Sequence, residues 1–162
     1  MTERLLTNQR ILAVDDEPDV LALIEEEITE ACPNCKLDKA STYEAAVELM
    51  ISWTYDLVIL DIMGVQGFDL LELAVRRKFP VAMLTAHALS PEALKRSIEM
   101  GARTYLPKEK LGQIVPFLED VLRYDNMPGW MKLFEKLGDF FNKRFGIGWQ
   151  DEDKKFWKEF NH

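Results

Sequence analysis

Four short apolar runs punctuate the chain at residues 11–14, 57–60, 81–84 and, more weakly, 104–106. Each is continuous rather than alternating. That is the pattern of a strand covered on both faces, as in a parallel sheet. Residues 35–40 alternate instead, which suits an edge strand. Between the runs the period changes to that of a helix. Val20, Leu21, Ile24 and Ile28 form one stripe. Tyr43, Ala46, Val47, Met50 and Ile51 form a second, Phe68, Leu71 and Val75 mark a third, and Ile114, Phe117, Leu118, Val121 and Leu122 form another. Ser41 with Glu44 reads as a capping box ahead of the second stripe. Ser90-Pro91 opens a helix, with Ser as cap and Pro at the first helical position. Pro116 must lie in a first turn, or it would break its helix. Strand and helix alternate five times. This predicts an α/β fold: a doubly wound five-stranded parallel sheet with right-handed crossovers, in flavodoxin-like order 2-1-3-4-5.

The pattern changes near residue 126. Of the 17 aromatic residues, 9 fall in residues 127–162, and Met127-Pro128-Gly129 reads as a turn. Trp130, Leu133, Phe134, Leu137, Phe140, Phe141 and Phe145 share a helical face, and Phe156, Trp157 and Phe160 suggest a further short helix. The division is therefore a domain over residues 1–126 and an aromatic-rich helical C-terminal extension over 127–162. Three readings of the extension stay open: a hairpin packed on the domain, a dimer or partner-docking surface, or a membrane-surface element.

Charge narrows the function classes. The chain carries 20 Lys+Arg against 28 Asp+Glu, a net of −8. That argues against general affinity for DNA or for anionic membranes. The extension is too short for a usual DNA-reading output domain and shows no basic recognition stripe. No run approaches membrane-spanning length, and residues 1–10 do not read as a secretory signal. The expected compartment is the cytoplasm, with Cys32 and Cys35 as reduced thiols in an ordinary helix-to-strand turn. As a zinc site that pair lacks partners, since the only histidines are His87 and His162.

The candidate chemistry sits where the strands end. Asp15 and Asp16 follow the first, Asp61 the third, Thr85 the fourth, and Lys108 comes shortly after the fifth. In an open α/β sheet those carboxyl ends form the ligand crevice. Three converging carboxylates repel one another, and Mg²⁺ relieves such repulsion with a few carboxylate oxygens. One carboxylate can act as a nucleophile toward a phosphoryl group. A hydroxyl and an ammonium can then hold the phosphoryl oxygens, since phosphoryl transfer depends on positioning and charge neutralisation.

Across roughly residues 9 to 124, this set resembles the receiver domains of bacterial response regulators in two-component signalling, which share the fold of the chemotaxis Y protein. Ile-Leu-Ala-Val-Asp-Asp-Glu-Pro at 11–18, Asp-Leu-Val-Ile-Leu-Asp at 56–61, Met-Leu-Thr-Ala at 83–86 and Gly-Ala-Arg-Thr-Tyr-Leu-Pro-Lys at 101–108 carry the resemblance. It implies phosphorylation of Asp61 by a histidine kinase or a histidine phosphotransfer protein. It implies Mg²⁺ on Asp16, Asp61 and the backbone carbonyl of Met63, with Asp15 orienting the ion's water shell. Thr85 would turn toward the phosphoryl group, Tyr105 would swing inward with it, and Lys108 would pair with its oxygens. The signal would leave through the fourth helix, fifth strand and fifth helix. A homodimer through that face or through the extension is one form of output.

Two features depart from the family. The loop Ile62-Met63-Gly64-Val65-Gln66-Gly67 is about two residues shorter and lacks a Met-Pro pair, and its glycines suggest a tight backbone path. Glu109 follows Lys108 where a cis proline is common, so a trans bond is expected here. His87, two residues past Thr85, reads as a loop residue near the mouth of the site. The resulting reading is a stand-alone phosphorylation-activated receiver, acting through an unknown downstream protein or within a phosphorelay. It is a regulatory phosphoacceptor, catalysing at most its own phosphotransfer and dephosphorylation. Two alternatives are a degenerate receiver serving as an interaction module and a Mg²⁺-dependent phosphohydrolase. Against the second, Met63 stands where such enzymes commonly carry another acid.

Overall fold

The computed structural model describes residues 6–86, 90–124 and 126–158, with the side chains of 126–128 excepted. Five strands alternate with five helices: β1 (Arg10–Val14), α1 (Pro18–Ala31), β2 (Lys36–Ala40), α2 (Tyr43–Ser52), β3 (Leu57–Asp61), α3 (Gly67–Arg76), β4 (Val81–Thr85), α4 (Pro91–Glu99), β5 (Thr104–Pro107) and α5 (Ile114–Arg123). The sheet is wholly parallel in the order β2-β1-β3-β4-β5, as the alternation predicts. Every residue of β3 and β4 is buried, whereas β2 buries only Ala40. The continuous apolar runs thus mark the strands with helices on both faces, and the alternating one marks an edge.

The helices bury the expected stripes with local differences. Val20, Leu21, Ile24 and Ile28 of α1 are all buried, as are Ile114, Phe117, Leu118 and Val121 of α5. In α2 the buried pair is Ala46 and Met50, while Ile51 points to solvent. In α3 the inner face is Leu70, Leu71 and Ala74, so Val75 lies on the shoulder of that stripe. Ser90 caps α4, its Oγ accepting from Ala93 N at 3.1 Å. The expected Ser41–Glu44 capping box does not form. Helix α2 begins one residue later, and the extended residue that precedes it is Thr42, whose Oγ1 accepts from Ala45 N at 3.2 Å. Pro116 is the third residue of α5, inside its first turn, where no backbone N–H is needed.

Two further expectations are corrected. Cys32 and Cys35 form a disulfide rather than standing as reduced thiols. Cys32 ends α1 with its N–H on Ile28 O at 2.7 Å, and Cys35 N donates to Cys32 O at 3.2 Å. That tight turn brings the two Cα atoms to 5.4 Å, within bridging range. Pro128-Gly129 is not a free turn but the first turn of a long helix, α6 (Asn126–Phe145). A proline there costs no intrahelical hydrogen bond.

The extension packs on its own chain. A short 3-10 turn (Trp149–Asp153) and α7 (Lys154–Trp157) follow α6. Trp130, Leu133, Leu137, Phe141 and Trp157 are buried and continuous with the core of the α/β unit. Trp130 Nε1 donates to Ala102 O at 3.0 Å, just before β5. The Phe141 ring lies 6.3 Å from that of Tyr105 in β5. Lys136 pairs with Asp120 of α5, and Lys95 of α4 with Asp153. The α4–β5–α5 face is therefore covered by the chain's own extension.

Candidate phosphoacceptor site

The sheet order brings four strand ends together. Because β1 lies between β2 and β3, and β3 between β1 and β4, the turn after β1 borders the last residue of β3. Carboxylate oxygens of Asp15, Asp16 and Asp61 all lie within 4.8 Å of one another. Asp15 and Asp61 are buried, and Asp16 is exposed. Lys108 enters directly after β5. Its Nζ is 2.9 Å from Asp15 Oδ2 and 3.2 Å from Asp61 Oδ1. Thr85, the buried last residue of β4, aligns with Pro107 across the β4–β5 ladder, one residue short of Lys108. Tyr105 is fully buried, and its hydroxyl accepts from Ser90 N at 3.3 Å and shares a hydrogen bond with the Thr85 side chain.

The loop after Asp61 is shaped by its glycines. Gly64 has φ of +88°, and a Cβ there would lie 2.5 Å from Asp16 Oδ2. A Cβ on Gly67 would come within 2.1 Å of the backbone oxygen of Asp61. The short loop can thus fold back over Asp61 only with hydrogen at both positions. Met63, two residues past Asp61, lies in this loop with its side chain about half exposed. No peptide bond among the described residues is cis, in line with the trans bond expected before Glu109. His87 lies outside the described residues.

Residues 11–117 match the model of the response regulator receiver domain. The chain belongs to that family. Among curated relatives, this receiver is 35% identical over 112 residues to the two-component response regulator ARR18 of Arabidopsis thaliana, covering 65% of this chain and 17% of that protein. It is 34% identical over 103 residues to the transcriptional regulatory protein TcrA of Mycobacterium tuberculosis, covering 61% of this chain and 40% of that one. The chain thus spans less than half the length of these relatives. Among solved structures, response regulator protein TrrA from Thermotoga maritima, in complex with Mg²⁺-BeF, is 32% identical with a TM-score of 0.60. It covers 70% of this chain and 99% of that one. The receiver domain of NtrX from Brucella abortus is 25% identical with a TM-score of 0.62, covering 71% and 99%. No described helix is long and apolar enough to cross a membrane.

The electrostatics of this receiver follow from its burial. Desolvation, the Asp15 charge and, less, Asp16 push the Asp61 carboxyl up to about 6, against the pull of Lys108. Burial raises Asp15 as well, partly opposed by Lys108. Burial works to lower Lys108, but Asp15 and Asp61 outweigh it and hold its ammonium firmly charged. Among the described residues, one cation therefore serves two buried carboxylates, with a third carboxylate alongside, so this set is short of positive charge. Asp15 Oδ2 is fully buried and has an ionic contact with Lys108, yet receives no well-formed hydrogen bond among the described residues. A hard cation with oxygen ligands fits this donor set.

One neighbour escaped the sequence reading. Glu17 Oε1 accepts from Lys108 Nζ at 3.2 Å, and Glu17 N donates to Asp15 Oδ1 at 2.9 Å. Glu17 lies next to the acidic pair, but its partner is 91 residues away. Only the fold joins them.

Proposed function

We propose that this receiver accepts a phosphoryl group on Asp61 with the help of Mg²⁺. The observation that supports it is the meeting of three carboxylates within 4.8 Å, two of them buried, with the Lys108 ammonium on both of the buried ones. Asp16, Asp61 and the Met63 carbonyl would hold the ion, with Asp15 ordering its water. The ion supplies charge neutralisation for phosphoryl transfer. An Asp61 oxygen attacks phosphorus as the bond from phosphorus to the donor breaks, and the leaving group departs with that electron pair. Lys108 meets the phosphoryl charge, and the Thr85 hydroxyl, at the end of the neighbouring strand, offers it a hydrogen bond. Tyr105 lies behind Thr85 as the aromatic of the switch.

The donor is a histidine kinase or a histidine phosphotransfer protein of the cytoplasm, and the output is contact with a downstream protein. The protein is a regulatory phosphoacceptor, not an enzyme turning over a metabolite. Incubation with acetyl phosphate and Mg²⁺ should add one phosphoryl mass to the wild type and none to Asp61→Asn by intact-mass spectrometry, and EDTA should abolish the adduct. A wild type that binds Mg²⁺ but is never labelled refutes this reading and leaves an interaction module. Sustained release of phosphate from phosphomonoesters would point instead to a hydrolase.

A further inference from the structure

The C-terminal extension grips β5 along its length. Trp130 holds Ala102 O before the strand, Phe141 packs on Tyr105 within it, and Arg144 pairs with Glu109 just after it. Glu109 is one of the two departures from the family pattern, and it immediately follows Lys108. The same short stretch of backbone thus carries the site's ammonium on one residue and an anchor for α6 on the next. Phe141 is fully buried, and it also packs on Phe134, Phe145 and Trp149 of the extension. Its contact with Tyr105 is therefore the edge of a rigid aromatic cluster, not a mobile side chain resting on a surface. Tyr105 in turn is tied to Thr85 and to Ser90 N. Any outward movement of its ring has to displace that cluster.

We propose that the extension is a brace for the phosphoacceptor site. Phe141 behind Tyr105 and Arg144 on Glu109 hold the end of β5 from which Lys108 reaches Asp61, so that docking of the extension and phosphorylation of Asp61 favour each other. The inference rests on the reading of Asp61 as phosphoacceptor and gives that site an intramolecular regulator. Lys108 sets the direction of this coupling. The docked arrangement is the one in which Lys108 lies 3.2 Å from Asp61, and a phosphoryl group on Asp61 adds negative charge that needs that ammonium. A modification that is more favourable in the docked state must strengthen docking by the same factor that docking strengthens it. Phe141 and Arg144 are positioning residues, since neither touches the acceptor. They are not equal. Arg144 and Glu109 are substantially exposed, and such a pair is worth at most about a fivefold effect. The buried Phe141 carries the larger share.

The test uses the full chain as wild type, Phe141→Ala, Phe141→Leu, Arg144→Glu, and the charge swap Glu109→Arg with Arg144→Glu. Labelling by acetyl phosphate is followed by intact mass, and circular dichroism checks each fold. Phe141→Ala should weaken beryllofluoride binding in the presence of Mg²⁺ roughly tenfold, within the usual range of coupling between sites, and should slow labelling as well. Phe141→Leu should slow it less. Arg144→Glu should slow it by up to about fivefold, and the swap should restore the rate, which a merely structural loss would not do. In the wild type, Mg²⁺ with beryllofluoride should slow amide exchange across residues 130–145 several-fold. If Phe141→Ala fails to fold, the leucine variant and the swap decide the matter. Unchanged labelling in folded variants overturns the brace. Faster exchange of the extension on loading overturns it too, and would make the extension an arm that phosphorylation releases. A labelled wild type with an unmoved extension refutes the brace alone, whereas no adduct at all refutes it together with the Asp61 reading.

Discussion

At the scale of single residues, the site is held in a state its own charges disfavour. Asp61 is buried beside Asp15, and its carboxyl is raised from 3.8 to about 6 by desolvation and that neighbour, with Lys108 compensating only in part. A carboxyl that binds its proton more tightly folded than unfolded favours the fold at low pH. That contribution is complete below the unfolded value near 4 and is lost as pH rises through about 6. Above that window the ionised Asp61 costs the metal-free protein on the order of 3 kcal/mol. Asp61→Asn removes the charge and leaves Lys108 its contacts with Asp15 and Glu17. In EDTA the variant should therefore be more stable than wild type at pH 7 to 8, and the two should converge toward pH 4. Chemical denaturation of both proteins across that range checks it. A variant less stable than wild type at neutral pH would show that the Lys108 pairing outweighs burial. Saturating Mg²⁺ should narrow the neutral-pH gap, because only the wild type offers the ion a carboxylate at position 61.

At the scale of elements, the loop from Ile62 to Gly67 shows how the backbone sets the side chains, and its two glycines should fail differently. Gly67→Ala drives a Cβ toward the backbone oxygen of Asp61, which cannot move without shifting the end of β3. Gly64→Ala instead meets the side chain of Asp16, which is exposed and can rotate, and adds about 1 kcal/mol for its positive φ. Denaturation should therefore show a loss of about 3 kcal/mol or more for Gly67→Ala. Gly64→Ala should stay close to wild-type stability but bind Mg²⁺ more weakly by titration, because Asp16 has been turned aside. Equal stability losses would mean that the loop yields as a whole. These two glycines were visible in the sequence as a tight path, though not which atoms they approach. The same limit appears elsewhere. The central strands β1, β3 and β4 and the residues closing them were legible because each is encoded locally, as an unbroken apolar run followed by a polar residue. The cap of α2 was misplaced because Ser41 and Thr42 are both good caps, and only backbone geometry chooses between them. The Glu17–Lys108 contact, the anchor of Arg144 on Glu109 and the disulfide were not legible. A periodic stripe gives the apolar face of a helix but not the surface that receives it.

At the scale of the molecule, the question is whether the receiver and its extension are one cooperative unit. Composition drew a boundary near residue 126, where the aromatics crowd, yet burial does not respect that line. Trp130, Leu133, Leu137, Phe141 and Trp157 join the same core as Tyr105, Phe117 and Val121. Each such side chain contributes about 2 kcal/mol through burial, and α6 without that support would be marginal in water. The extension should therefore not melt on its own. The chain offers a direct way to see this, because Trp130, Trp149 and Trp157 lie in the extension and only Trp53 lies outside it. Tryptophan fluorescence reports mainly the extension, whereas far-ultraviolet circular dichroism reports every helix and strand. In a urea titration the two signals should give the same midpoint and the same slope, as a two-state unit requires. Leu133→Ala in α6 should shift both midpoints together, by a loss of about 2–4 kcal/mol. A fluorescence midpoint well below the dichroism midpoint would mean that α6 and α7 detach before the sheet unfolds. The boundary drawn by composition would then also be a boundary of cooperativity, and the brace on β5 would be too weak to follow the state of Asp61.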